Sequence, residues 1–217
     1  MIILAMDTSS ESGSVALALG ETLAGEVRLE RRLQHSETLF RSIDMLLASC
    51  RTRVGEVDVF VAARGPGSFT GLRVGMAAAE GLAFTTGRQA RAISTLAALA
   101  WQVGPTPSTL APVMDARRGE IYGALFRRED ARLTEVRKAQ VESPAAFLDS
   151  LPGEGVVFLG PGVKHCTSRI QTHDAWTVYD ADPYLAPALA EMTARGYEEP
   201  FEPLYLRPPG ARRSVEN

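Results

Sequence analysis

Val57-Asp58-Val59-Phe60-Val61-Ala62-Ala63 runs through Arg64 into Gly65-Pro66-Gly67-Ser68-Phe69-Thr70-Gly71-Leu72-Arg73-Val74-Gly75. The first part is an apolar run broken only by Asp58, the pattern of a buried strand. Gly65-Pro66-Gly67 stops it, since glycine and proline punctuate regular structure, and from about Thr70 to Phe84 small and apolar residues continue as a helix. Strand, glycine turn and helix in that order are the building unit of an α/β protein.

Outward from this stretch, Ile2 to Met6, Ser14 to Leu19 and Thr22 to Leu29 read as three strands of a meander, with a serine-rich turn through Ser9, Ser10, Ser12 and Gly13. Ser36 is placed to cap a helix whose apolar residues Leu39, Ile43, Leu46, Leu47 and Cys50 recur at the helical period. Ala90 to Ile93 reads as a short strand, and Ser94 as the cap of a helix through Leu96, Leu99, Ala100 and Val103. A meander followed by strand-helix alternation suits the ribonuclease-H-like half of an actin-like domain.

Gly104-Pro105-Thr106-Pro107-Ser108 cannot continue a helix, and the domain boundary is placed there. The expected organisation is a first domain over 1–104, a linker over 105–108 and a smaller second domain over 109–182. A final helix over about 183–196 is free to pack back onto the first domain. Thr109 to Met114 and Glu120 to Phe126 read as strands around the turn Asp115-Ala116-Arg117-Arg118-Gly119. A helix at Pro144 to Ser150, a strand at Val156 to Leu159 and a helix after Lys164 complete the reading.

Composition narrows the function. The 217 residues are 45% apolar and 23% charged, as in an ordinary globular chain. The net charge of −3 argues against a protein that wraps nucleic acid by itself, because phosphate binding needs a concentrated basic surface. The opening apolar run meets Asp7 before it could span a bilayer or act as a signal, which predicts a cytoplasmic chain without a membrane segment. Cys50 and Cys166 lack the spacing of a zinc or redox motif. His35, His165 and His173 include no pair at the i, i+4 spacing of helical metal ligands. Ser68 lacks the frame of a hydrolase nucleophile.

Two places have both a chemical and a structural reading. The Gly65–Gly75 segment leads glycine-rich backbone into a helix, where N–H groups and Arg73 could face an anion. Equally, Gly71 and Gly75 lie four apart on one helical face continued by Ala78, and let another backbone come close. The second reading is preferred, because neither a P-loop Lys-Ser/Thr nor a dinucleotide G-x-G-x-x-G is present. Asp7-Thr8-Ser9 after the first strand, with Asp115 after a strand of the second half, could hold the metal and phosphate of a nucleotide. Both aspartates could instead only cap their turns.

Several of these segments resemble one known family, the TsaB (YeaZ) proteins of tRNA threonylcarbamoyladenosine biosynthesis. The resemblance rests on Ile3 through Ser9 with Ser14-Val15-Ala16-Leu17, on His35-Ser36-Glu37, on Gly65 through Gly75, and on Pro112 through Tyr122. Pro203-Leu204-Tyr205-Leu206-Arg207 is similar to the family's tail. The resemblance implies a duplicated actin-like (ASKHA) fold of two mixed-sheet domains and a non-catalytic role beside the catalytic subunit TsaD. That subunit transfers threonylcarbamoyl to the adenosine next to the anticodon of tRNAs reading ANN codons, and the ATPase TsaE joins the pair. A nucleotide at a vestigial site is compatible with the resemblance and no other cofactor is assigned; tRNA is expected to be met only through the complex, and despite the family's glycoprotease label these residues show no protease machinery.

The resemblance also places an association surface on the first domain's helices, which here means Ser36, Leu39, Phe40, Ile43, Leu46, Leu47, Gly71, Arg73, Gly75 and Ala78. Such a face predicts a homodimer when the chain is alone. On that reading Gly75→Leu costs association more than stability. The rival reading is a small-molecule kinase of the same superfamily, using Asp7, Asp115 and Gly160-Pro161-Gly162-Val163-Lys164 around ATP.

Overall fold

The computed structural model describes residues 1–29, 35–153 and 155–207, with the side chains of His35, Ser36 and Glu37 outside the described set. Two five-stranded mixed sheets carry the fold. In the first, β1 (Ile2–Asp7), β2 (Gly13–Leu19) and β3 (Thr22–Leu29) form an antiparallel meander. After α1 (His35–Ser49), β4 (Val59–Gly65) runs parallel to β1. After α2 (Phe69–Thr86), β5 (Gln89–Ser94) runs parallel to β4, and α3 (Thr95–Trp101) follows.

The second sheet repeats this plan. β6 (Thr106–Arg117), β7 (Glu120–Glu129) and β8 (Arg132–Glu142) form the meander. Then come α4 (Pro144–Asp149), β9 (Val156–Leu159) parallel to β6, α5 (Thr167–Ile170), β10 (Trp176–Tyr179) and α6 (Ala186–Ala194). The sheet orders, β3-β2-β1-β4-β5 and β8-β7-β6-β9-β10, correspond strand for strand. Gly65-Pro66-Gly67 follows β4 and Gly160-Pro161-Gly162 follows β9. This internal repeat of the turn is visible in the sequence and was not read there.

Alternation along the strands sorts the chain into layers. Ile3 and Ala5 of β1 point into a central core with α3, α6 and the inner face of the second sheet, whereas Leu4 and Met6 point to the other side, under α1 and α2. The outer face of the second sheet packs Ala111, Val113 and Phe158 against Phe147 of α4 and Ile170 of α5. Helix ends follow local chemistry: Ser68 accepts a hydrogen bond from the Gly71 amide at the start of α2, and Gly87 closes it at a φ of 66°. Ser94 and Ser143 cap α3 and α4 in the same way.

Three details differ from the sequence reading. α1 already includes His35, so Ser36 lies in the first turn and is not its cap. β6 begins at Thr106, inside the stretch read as a linker, because prolines are tolerated near a strand's start. β8 and β10 were unread, and both are edge strands of the second sheet with mostly exposed residues.

After α6 the chain returns across both halves as a strap. The Glu199 amide donates to the Ala92 carbonyl (3.0 Å), and the Glu199 carboxylate takes the Ser94 amide (2.9 Å) and Arg64 (3.1 Å). The Leu204 amide donates to the Arg64 carbonyl (2.7 Å), Tyr205 reaches α2, and Arg207 ties the Ala116 carbonyl and Glu120 at the β6–β7 turn.

Candidate functional site

Asp7, Thr8 and Ser9 leave β1 fully enclosed. The Ser9 amide donates to Asp7 Oδ1 (2.8 Å), the Thr8 hydroxyl donates to the Gly71 carbonyl (2.7 Å), and the Ser68 amide donates to the Ser9 carbonyl (2.7 Å). A Cβ on Gly71 would stand 1.9 Å from the Thr8 carbonyl oxygen, on Gly67 2.3 Å from that of Ser9, and on Gly75 2.4 Å from Thr8 Oγ1. These glycines exist so that α2 can lie on the first turn of its own chain. The expectation that Gly71 and Gly75 offer a flat face to another chain is therefore corrected at both positions. Burial pushes the Asp7 carboxyl up to about 6, against the lowering effect of its hydrogen bonds from Ser9.

Asp115 holds the corresponding place in the second sheet but stands at the surface. Burial alone would raise its pKa. The Arg117 amide (2.7 Å), His165 (3.3 Å) and Lys164 (3.4 Å) instead hold the carboxyl below its ordinary value. The glycine turn after β9 is also filled from within, since a Cβ on Gly162 would meet the Met114 backbone at 2.8 Å. Among the described residues, no three His, Cys, Asp or Glu side chains gather as a metal site.

The expected association surface divides. Leu39, Ile43, Leu46, Leu47 and Ala78 are buried with Leu4, Met6, Leu17 and Phe60, so the apolar stripe of α1 serves its own sheet and is corrected as a free face. The Ser36 side chain lies outside the described residues. Phe40 and Arg73 face solvent, Phe40 at 46% exposure. They line a groove of about 480 Å³ between α1 and α2, with Phe69, Val74, Ala77 and Ala78.

The outward side of α2 carries Arg73, Ala77, Glu80, Gly81 and Phe84. Phe84 is 87% exposed, and a Cβ on Gly81 would meet nothing within 4 Å. A mid-helix glycine with no internal neighbour weakens its helix by about 0.5–1 kcal/mol relative to alanine. Ala77, Gly81 and Phe84 were missed in the sequence. Their signal, spacings of four and three continuing from Arg73, was masked by the equally regular Gly71–Gly75 pair.

A family model described as TsaD, tRNA N6-adenosine threonylcarbamoyltransferase, matches residues 29–171. The chain is 30% identical over 222 aligned residues to the tRNA threonylcarbamoyladenosine biosynthesis protein TsaB of Escherichia coli strain K12, covering 95% of each. The chain belongs to the TsaB family. It falls within the wider group that the TsaD model describes. The structure of YeaZ from Pseudomonas aeruginosa superposes with a TM-score of 0.76 at 26% identity, over 94% of this chain and 99% of that one. Component A of (R)-2-hydroxyglutaryl-CoA dehydratase from Acidaminococcus fermentans shares the fold alone, with a TM-score of 0.53 at 11% identity over 90% and 98% of the two chains. The fold is the duplicated actin-like ATPase fold. No helix among the described residues is long and apolar enough to cross a membrane.

Proposed function

We propose that this TsaB-family chain is a non-catalytic subunit in tRNA threonylcarbamoyladenosine biosynthesis. It binds and supports a TsaD-like catalytic subunit, with a TsaE-like ATPase joining them in the cytoplasm. The observation that carries this reading is the outward α1–α2 face. Gly81 has no internal reason to be glycine, and Phe84 stands almost fully in water beside it. Small residues flanked by an aromatic anchor suit the close approach of helices from another protein. The same face supports a homodimer when the partner is absent.

The kinase reading loses support from the packing of Asp7, Thr8 and Ser9, because α2 fills the turn that a nucleotide's phosphates would need. Co-purification of the chain with the TsaD-like protein of the same organism, and a threonylcarbamoylation assay with and without the chain, tests the proposal. Modification that requires the chain supports it. Undiminished modification in its absence, or tight Mg-ATP binding by the isolated chain in a calorimetric titration, overturns it.

A further inference from the structure

Arg73 stands at the mouth of the α1–α2 groove in a prearranged position. Its guanidinium lies 4.0 Å from the centre of the Phe69 ring, and its Nε donates to the Tyr205 hydroxyl (3.0 Å). The Tyr205 ring itself packs on Phe69, with centroids 4.9 Å apart. Tyr205 arrives from the far end of the chain, held on one side by Leu204 on Arg64 and on the other by Arg207 on the β6–β7 turn. No carboxylate of the described residues pairs with Arg73, whereas Arg64, Arg88 and Arg91 of the same half each have one.

We propose that Tyr205 is a positioning residue for docking: it fixes Arg73 so that the guanidinium meets a carboxylate on an otherwise apolar segment of the catalytic partner seated in the groove. This rests on the docking reading above and adds the chemistry of the occupant. Charge complementarity argues for it, since among the described residues the groove is lined by apolar side chains apart from Arg73 and Thr70. Holding the guanidinium over the Phe69 ring and against the Tyr205 hydroxyl removes rotamer freedom before the partner arrives, so less is lost on binding. The strap thereby links the second half of the chain to the docking face on the first.

The test is a double-mutant cycle on binding to the TsaD-like subunit, using Tyr205→Phe, Arg73→Gln and both together, with Phe84→Ser as a separate probe of the face. Tyr205→Phe keeps the ring stack and loses the hydrogen bond. It should weaken binding about three- to tenfold with the melting temperature unchanged. Arg73→Gln should weaken binding about tenfold or more and flatten its salt dependence, a readout that a purely structural role would not move. Tyr205→Phe should then add nothing on the Arg73→Gln background. Additive losses, or wild-type binding by Tyr205→Phe, overturn the proposal. Loss with Phe84→Ser but not with Arg73→Gln overturns it while leaving the docking reading in place, and absence of binding by the wild-type chain overturns both. A cycle that appears only in self-association, measured by sedimentation, assigns the groove to a second copy and also overturns it.

Discussion

Helix α2 carries glycine on two faces, and the two sets have opposite surroundings. On the inward face Gly71 and Gly75 have Thr8 pressed against them, closer than any Cβ would allow. On the outward face Gly81 has nothing within 4 Å. A small residue marks a place where something comes close, but its identity does not say whether the visitor is the same chain or another one. The position of the sheet decides that.

The sharpest way to break this comparison is Gly71→Ala. The obstructing atom is a backbone carbonyl that no rotamer change can move, so the variant should lose about 3 kcal/mol or more of stability, read from its urea midpoint. Gly75→Leu should likewise melt low, where the sequence reading expects lost association. An unchanged midpoint in both would show that the inward face is not closed.

Beneath that face lies Asp7, whose burial sets a pH dependence. Its folded pKa of about 6 exceeds the ordinary 3.8, so the folded state binds the proton more tightly than the unfolded one. The stability it contributes is full below the ordinary carboxylate value and is lost as pH rises through 6, up to roughly 2–3 kcal/mol. Asp7→Asn should therefore stabilise the protein near pH 7.5 by about that much and change little near pH 4. A difference that does not vary with pH would mean that the carboxylate is not sealed.

The outward face gives smaller effects of another kind. Phe84→Ser should leave the melting temperature near wild type, since the ring is already in water, and weaken association with the partner subunit about tenfold in a titration. Gly81→Ala should raise stability by about 0.5–1 kcal/mol, the reverse of Gly71→Ala. A loss of stability there would reveal an internal neighbour and erase the contrast between the faces.

In the first sheet β1, β2 and β4 were legible because they are buried on both sides and bounded by strong turn residues. Ile2–Asp7, Gly13–Leu19 and Val59–Gly65 each read as apolar runs ending at serine, glycine or proline. The second sheet was legible in its centre, at β6, β7 and β9, and not at its edges. Arg132–Glu142 interleaves charges with Leu133, Val136 and Ala139, because only part of one side of an edge strand meets the core. The site was legible in kind only: the α1 and α2 helices and Arg73 were named, but Ala77, Gly81 and Phe84 were not.

The sequence by itself determined the periodicities, the cap at Ser94, the strand-glycine-helix unit and the family. These depend on residues near one another along the chain, where a period or a turn former has one meaning. Only the tertiary structure decided which side of each helix the sheet occupies, that Thr8 fills the space beside Gly71 and Gly75, and that Tyr205 reaches Arg73 from the opposite end of the chain. Those contacts join residues far apart in sequence, and their energy comes from close fit, which no single segment carries.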